Sequence, residues 1–261
     1  MGILRDALQL EGRGIISLVG AGGKTSLMFR LARELSEEGD AVLTTTTTRI
    51  FMPDESQSPK VILAASAEEI RKQAMVHLKE HRHVTAAASR TEGRDKLIGL
   101  PPETVDELGD CGLFDWVVVE ADGAAKRPLK APAAHEPVIP PATGWLIGLV
   151  GLSAVGRPFT GETVHRPAIF SELCNLLPGA EITASALACL LTHPQGLMKN
   201  APGQCRRLIF LNQADAPGAL SAGREIAGKL LRDGDAGSRR VIIGQALADP
   251  PVVEVYDVEP G

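Results

Sequence analysis

The sequence predicts an α/β fold: three layers, with a mostly parallel sheet flanked by helices. Three observations carry this. Short apolar runs alternate with segments of helical period along most of the 261 residues. One of those runs enters a glycine-rich turn that opens directly into an amphipathic helix. The composition is 44 % apolar but only 3 % aromatic, so the core must be built from Leu, Val, Ile and Ala, as in parallel sheets covered by helices.

Taken in order, Ile15 to Val19 reads as a buried strand. Lys24 to Glu38 reads as a helix, with Leu27, Met28, Leu31 and Leu35 on one face and a stop near Gly39. Ala41 to Leu43 and Val61 to Ala64 are strands, and a helix follows over about Ala67 to Glu80. Val84 to Ala88, Asp115 to Glu120 and Trp145 to Val150 are strands, the middle one (DWVVVE) the clearest. Helices are predicted at Ala168 to Leu177, Thr183 to Leu191 and Ala219 to Leu231. The last strands are Leu208 to Leu211, Val241 to Ile243 and Val252 to Tyr256. No flexible linker or internal repeat interrupts this order. The chain therefore reads as a single domain, 1–261, with a helical insertion at about 168–200.

The net charge of −5 and the scarcity of aromatic rings argue against nucleic acid as a partner. The four cysteines are widely spaced and form no C-x-x-C pair, which fits reduced thiols. The N-terminus lacks the long apolar run of a secretory signal. The longest uncharged stretch, Pro137 to Gly156, is broken by prolines and glycines, and its dense apolar part, Trp145 to Val150, is too short to span a bilayer. These features predict a cytoplasmic protein with no membrane segment.

The strongest motif is the strand-to-helix turn Gly20-Ala21-Gly22-Gly23-Lys24-Thr25-Ser26. Its glycines permit backbone angles closed to other residues and let amides approach an anion. Those amides and the helix N-terminus make a cradle for phosphate oxygens. Lys24 is placed to neutralise β- and γ-phosphates, and the Thr25 hydroxyl to ligate Mg²⁺. The fold expectation is thus P-loop NTPase-like, with ATP or GTP and Mg²⁺ as ligands. The usual G-x-x-x-x-G-K-[ST] spacing would need Gly where this chain has Leu18. The shorter G-x-x-G-K-[ST] of Mur-type ligases is satisfied instead.

The strand at Trp116 to Val119 ends in Glu120-Ala-Asp122-Gly123. A carboxylate at the C-terminal end of a strand faces the crevice where open α/β sheets bind ligands. Glu120 and Asp122 are therefore candidate catalytic and Mg²⁺-binding groups beside Lys24 and Thr25, with the roles undivided between them. The threonine run after the second strand offers Thr45, Thr46 and Thr47 as candidate contacts to Mg²⁺ or a γ-phosphate. Only alternate side chains of a strand point the same way. Late in the chain, Asn212-Gln213-Ala214-Asp215 is similar to the N-K-x-D base-reading segment of GTPases, with Gln213 replacing its lysine. Asn212 and Asp215 are the candidate base contacts.

Between these motifs, Gly123 to Pro140 is a proline-stiffened loop bearing Lys126, Arg127, Lys130, His135 and Glu136, a candidate substrate or partner surface. Arg157, His165 and Arg166 are similarly placed. His135 and His165 lack ligand-type neighbours at a fixed spacing.

VGAGGKTS, TTTTTR, VVVEADGAAKRPLKAPAAHEPVIP and FLNQAD, in this order over about residues 14–215, resemble the YqeC family. The resemblance implies an accessory role in selenium-dependent molybdenum hydroxylase maturation or selenium cofactor biosynthesis. A hydroxylase or another maturation factor is then the expected protein partner. By analogy with metal-insertion GTPases, nucleotide hydrolysis would drive the hand-over of cofactor to a client. Two other readings stand beside this one. The Mur-type loop spacing suits a small-molecule kinase or an ATP-dependent ligase, and a nucleotide-binding module without turnover is the third.

Overall fold

The computed structural model describes residues 2–93, 95–233 and 238–257. Its strands are β1 (Gly14–Gly20), β2 (Val42–Thr46), β3 (Arg49–Phe51), β4 (Val61–Leu63), β5 (His83–Ala87), β6 (Ser89–Arg90) and β7 (Lys96–Ile98). They continue with β8 (Trp116–Glu120), β9 (Leu129–Lys130), β10 (Thr143–Gly151), β11 (Val164–His165), β12 (Arg206–Asn212), β13 (Ser238–Gly244) and β14 (Val252–Asp257). The helices are α1 (Ile3–Ala7), α2 (Lys24–Glu37), α3 (Ala67–His77), α4 (Pro102–Asp110), α5 (Pro167–Cys174), α6 (Ala184–Thr192) and α7 (Ala219–Asp233).

The main sheet runs β14-β13-β12-β10-β1-β8-β2-β5-β4. Every neighbouring pair in it is parallel except β13 with β14. Alternation along the strands divides the core into layers. On β8, Trp116 and Val118 face one side, where they join Ile16, Leu18, Ile147, Leu149 and the buried face of α2. Val117 and Val119 face the other side and pack with Ile15 and Leu43 under α3 and α4. Further along that second face, Leu146, Val150, Ile209 and Leu211 lie under α5, α6 and α7. Helices on both faces of a mostly parallel sheet make this a three-layer α/β fold.

The structure adds elements beyond those predicted. α1 docks on α2, and its first amides, those of Leu4 and Arg5, donate to Glu34 Oε1 at 2.7 and 3.1 Å. α4 begins with Pro102 and buries Val105 and Leu108. A small antiparallel sheet, β3-β7-β6, pairs Ile50 with Leu97. A two-strand parallel pair aligns Leu129 with Val164 and Lys130 with His165. No helix among the described residues is long and apolar enough to cross a membrane.

Register decides what meets at the C-terminal edge of the sheet. Glu120 lies opposite Leu18 on one side and Thr46 on the other. Gly20 pairs with Leu149, and Gly151 with Asn212. The glycine turn after β1, the threonine run, the acidic strand end and the Asn212 segment therefore share one edge.

Candidate functional site: the phosphate loop and its ion chain

The glycine turn is held open by its backbone. Gly20, Gly22 and Gly23 have φ of 97°, 81° and 119°. At Gly22 a side chain is excluded twice over, because a Cβ there would stand 2.2 Å from the Gly151 backbone nitrogen. The amides of the turn divide into two sets. Gly20 donates to Asp122 at 3.0 and 3.2 Å, Ala21 to the Leu149 carbonyl at 3.0 Å, and Gly22 to the Arg127 carbonyl at 3.3 Å. Ala21 was expected to contribute to phosphate binding, but its amide is committed to the sheet and its side chain is buried. The N–H groups of Lys24, Thr25 and Ser26 belong to the first turn of α2, where a helix provides no acceptor. With the Gly23 amide, which also has no acceptor among the described residues, they are the donors left for an anion.

Lys24 curls back over the turn and is only 3 % exposed. Its ammonium donates to the Gly20 carbonyl at 2.6 Å and lies 3.1 Å from Asp122 Oδ1 and 3.7 Å from Glu120 Oε1. Burial works to lower its pKa, but the Asp122 and Glu120 charges outweigh this and hold it above the ordinary lysine value. Thr25 Oγ1 donates to Glu120 Oε2 at 2.6 Å. Burial raises the Glu120 pKa above the usual carboxylate range, and Lys24 and Thr25 oppose that rise only in part.

Thr25 and Glu120 fit a magnesium ion. A hydroxyl and a carboxylate converge at the cavity wall, and Mg²⁺ usually takes only one or two protein carboxylates, keeping waters and phosphate oxygens for the rest. Asp122 does not fit that role. It is 0 % exposed, and its oxygens are engaged by the Gly20 amide and by two ammonium groups. Its position makes it the brace of the loop.

The second ammonium is Lys130. The sequence suggested a loop decoration, whereas the β9–β11 pairing buries it completely. Lys130 Nζ lies 3.0 Å from Asp122 Oδ2 and 2.8 Å from Glu136 Oε2, held by charge without a well-aligned hydrogen bond. Glu136 in turn pairs with Arg166. Burial would raise the Glu136 pKa, but Arg166 and Lys130 together depress it to about 2. The result is a chain of alternating sign: Glu120, Lys24, Asp122, Lys130, Glu136, Arg166.

The threonine run is placed differently from expectation. Thr45 donates to the Ala86 carbonyl at 2.8 Å, Thr46 to the Glu120 carbonyl at 2.6 Å, and Thr47 to the Val138 carbonyl at 2.7 Å. These hydroxyls satisfy backbone carbonyls at the ends of β5 and β8 and in the segment before β10, and none of the three lines the larger cavity beside the loop. Thr48 does.

With this geometry in view, the comparisons with known proteins are direct. Residues 16–168 match the family described as YqeC protein. The chain is 40 % identical over 204 residues to a protein of Escherichia coli (strain K12) named "Uncharacterized protein YqeC", covering 76 % of this chain and 75 % of that one. The chain belongs to the YqeC family. Among solved structures it is similar to chloroplast FtsY from Physcomitrella patens, with a TM-score of 0.44, 12 % identity and coverage of 96 % of this chain and 64 % of that one. FtsY from Mycoplasma mycoides gives a TM-score of 0.40, 13 % identity and coverage of 94 % and 65 %. The chain thus spans just under two thirds of each of these two FtsY chains.

All six residues of the ion chain fall inside the segment that matches the YqeC family. The Asn212 segment lies outside it. In this YqeC chain Asn212 is buried, and its carboxamide is a strut: Nδ2 donates to the Gly22 carbonyl at 2.7 Å, and Oδ1 accepts from the Ala246 amide at 2.9 Å. Its side chain is therefore committed to the protein. Gln213 adopts φ 68° and accepts from Ser153 Oγ at 2.6 Å. Asp215 is exposed and lines a cavity of about 410 Å³ with Gly23, Ser26, Gln213 and the 245–248 segment. Adjoining it, and sharing Gly23, Ser26, Ser153 and Gln213 with it, a cavity of about 1170 Å³ is also lined by Lys24, Thr25 and Glu120, together with parts of the 123–128 loop and β3.

The sequence placed Lys126, Arg127, His135, Arg157, His165 and Arg166 in ambiguous loops. All line this larger cavity. Among the described residues no group of three or more His, Cys, Asp or Glu side chains is arranged to hold a metal ion by itself.

Proposed function

We propose that this YqeC-family protein binds a nucleoside triphosphate with Mg²⁺ at the Gly20–Ser26 loop and hydrolyses it. It would do so as an accessory factor in maturing a selenium-dependent molybdenum hydroxylase, the role the family resemblance implies. The single observation that carries nucleotide binding is the position of Lys24. Its ammonium sits inside a glycine turn whose helix-start amides are unclaimed, 3.7 Å from the carboxylate that also receives the Thr25 hydroxyl.

In this reading the phosphates take the open amides of α2, and Lys24 exchanges a carboxylate partner for phosphate oxygen. Mg²⁺, held by Thr25 and Glu120, supplies charge neutralisation at the β- and γ-phosphates. Asp122 and Lys130 keep the loop shaped while that exchange happens. The base occupies the cavity beside Asp215, and ATP and GTP are both in range. Glu120 lies beside the position an attacking water would take and would orient it, while that water's proton leaves with the released phosphate. Water oxygen then bonds to the γ-phosphorus as its bond to the bridging oxygen breaks, releasing nucleoside diphosphate and phosphate.

The test is calorimetric titration of ATP and GTP, each with Mg²⁺, into the protein and its Lys24→Ala variant. The reading expects affinity for at least one nucleotide to fall tenfold or more in the variant. Equal affinity would remove the loop as the binding site.

A second reading, a small-molecule kinase or Mur-type ligase, draws support from the size of the cavity on the Glu120 side. Diphosphate formation that depends on a small acceptor favours it. Slow hydrolysis accelerated by a client hydroxylase favours the accessory role. Bound nucleotide with no turnover under either condition leaves a binding module.

A further inference from the structure

The cavity of about 1170 Å³ on the Glu120 side exceeds the roughly 300–1,000 Å³ of an ordinary small-molecule site. The base has its own cavity on the Asp215 side in the reading above. The larger space therefore has room for more than the end of a triphosphate.

Its wall has one dominant sign. Arg49, Lys96, Lys126, Arg127, Arg157 and Arg166 line it, against the carboxylates of Glu120 and Glu136. Of those six cations, only Arg166 has a carboxylate partner among the described residues. The chain as a whole is acidic, at −5, so this concentration is local. Some of these groups are also held in place. Arg127 donates from Nε to the Gly161 carbonyl and from Nη1 to the Ala125 carbonyl at 3.3 Å. The ammonium groups of Lys96 and Lys126 stand 4.7 and 4.3 Å from the centroid of Phe51, a ring that is 47 % exposed at the cavity. His165, on the same wall, has its pKa lowered by burial and then by Arg166 and Lys130, in keeping with a positive field there.

We infer that this cavity is a second ligand site, for a polyanionic small molecule carrying phosphate or carboxylate groups, adjoining the triphosphate end of the nucleotide. The inference rests on the nucleotide reading only for what occupies the neighbouring loop. Arginine forks match both kinds of oxyanion, and the cavity is concave and low in carboxylates, which suits a compact, highly charged molecule.

The experiment uses the full chain saturated with Mg²⁺ and a non-hydrolysable triphosphate analogue. It is titrated by calorimetry with pyrophosphate in one arm and citrate in the other, at physiological salt. One further equivalent is expected to bind in at least one arm, and the responding arm distinguishes phosphate from carboxylate chemistry. Arg157→Ala and Arg127→Ala are each expected to weaken that binding about tenfold. Arg157 is exposed and makes no ion pair among the described residues, so its variant keeps the test clear of folding defects. Absence of a second equivalent in both arms overturns the inference, as does binding that both variants leave unchanged. Failure of the analogue itself to bind refutes the nucleotide reading instead. In that case the same two anions, titrated into the free protein and the Arg157→Ala variant, still decide the cavity.

Discussion

Asp122 is the member of the ion chain whose removal says most. It is fully buried, stands within 3.1 Å of Lys24 and 3.0 Å of Lys130, and accepts the Gly20 amide. Asp122→Asn keeps the volume and an acceptor for Gly20 but deletes the charge between two buried ammonium groups. Removing one partner of a buried ion pair costs about 3–5 kcal/mol. Here Lys24 keeps Glu120 at 3.7 Å and Lys130 keeps Glu136 at 2.8 Å, so the lower end of that range is expected. Asp122→Ala also strands the Gly20 amide, adding about 1–3 kcal/mol. Urea unfolding should show the midpoint falling in the order wild type, Asp122→Asn, Asp122→Ala, with an unchanged slope. The double variant Asp122→Asn/Lys130→Met removes one charge of each sign and leaves two opposite-sign pairs, Glu120 with Lys24 and Glu136 with Arg166. It should be more stable than the sum of the single variants implies, by at least about 1 kcal/mol. Additive losses, or an Asp122→Asn midpoint equal to wild type, would show that these charges do not act as a chain.

Other expectations follow from the same geometry. His83 is buried beside Thr44, and burial lowers its pKa from 6.5 to about 4. Its stabilising contribution is complete above pH 6.5 and is lost as pH falls toward 4, by about 3 kcal/mol, and a His83→Gln variant should flatten that part of the urea midpoint profile against pH. Glu136 acts lower on the scale. Its contribution, complete above pH 4.5, disappears as pH falls toward 2. Gly22→Ala puts a Cβ against the Gly151 backbone at positive φ and should lower both thermal stability and nucleotide affinity. A Gly22→Ala protein with wild-type behaviour in both assays would contradict the loop geometry. Thr25→Val should abolish the difference in nucleotide affinity between Mg²⁺ and EDTA. Asp215→Asn should change the ratio of GTP to ATP affinity by tenfold or more, and an unchanged ratio would move the base elsewhere.

What the sequence disclosed was what is local. The buried strands, the helix at Lys24 and the glycine turn are contiguous patterns, and each can be read without knowing its neighbours. α4 also carried a local signal that went unused: Pro102 at the first helical position, followed by Val105 and Leu108 three residues apart. The threonines misled because a strand's period says which side chains alternate, not which carbonyl waits beside each hydroxyl. Thr45 and Thr46 answer to Ala86 and Glu120, more than forty residues away. Lys130 was illegible for the same reason. Its burial depends on a two-residue pairing with Val164 and His165 and on two carboxylates brought in from different segments. Asp122 and Glu120 stand two positions apart in sequence, but only the folded register shows that one braces the loop and the other faces the cavity.

The Asn212 carboxamide fastens three corners that the chain keeps far apart: the turn after β1, the end of β12 and the crossing from β13 to β14. Displacing Asn212 would break its bond to the Gly22 carbonyl, its bond to the Ala246 amide, or both. One buried side chain thus ties the wall beside Asp215 to the glycine turn through two hydrogen bonds, with no further element between them.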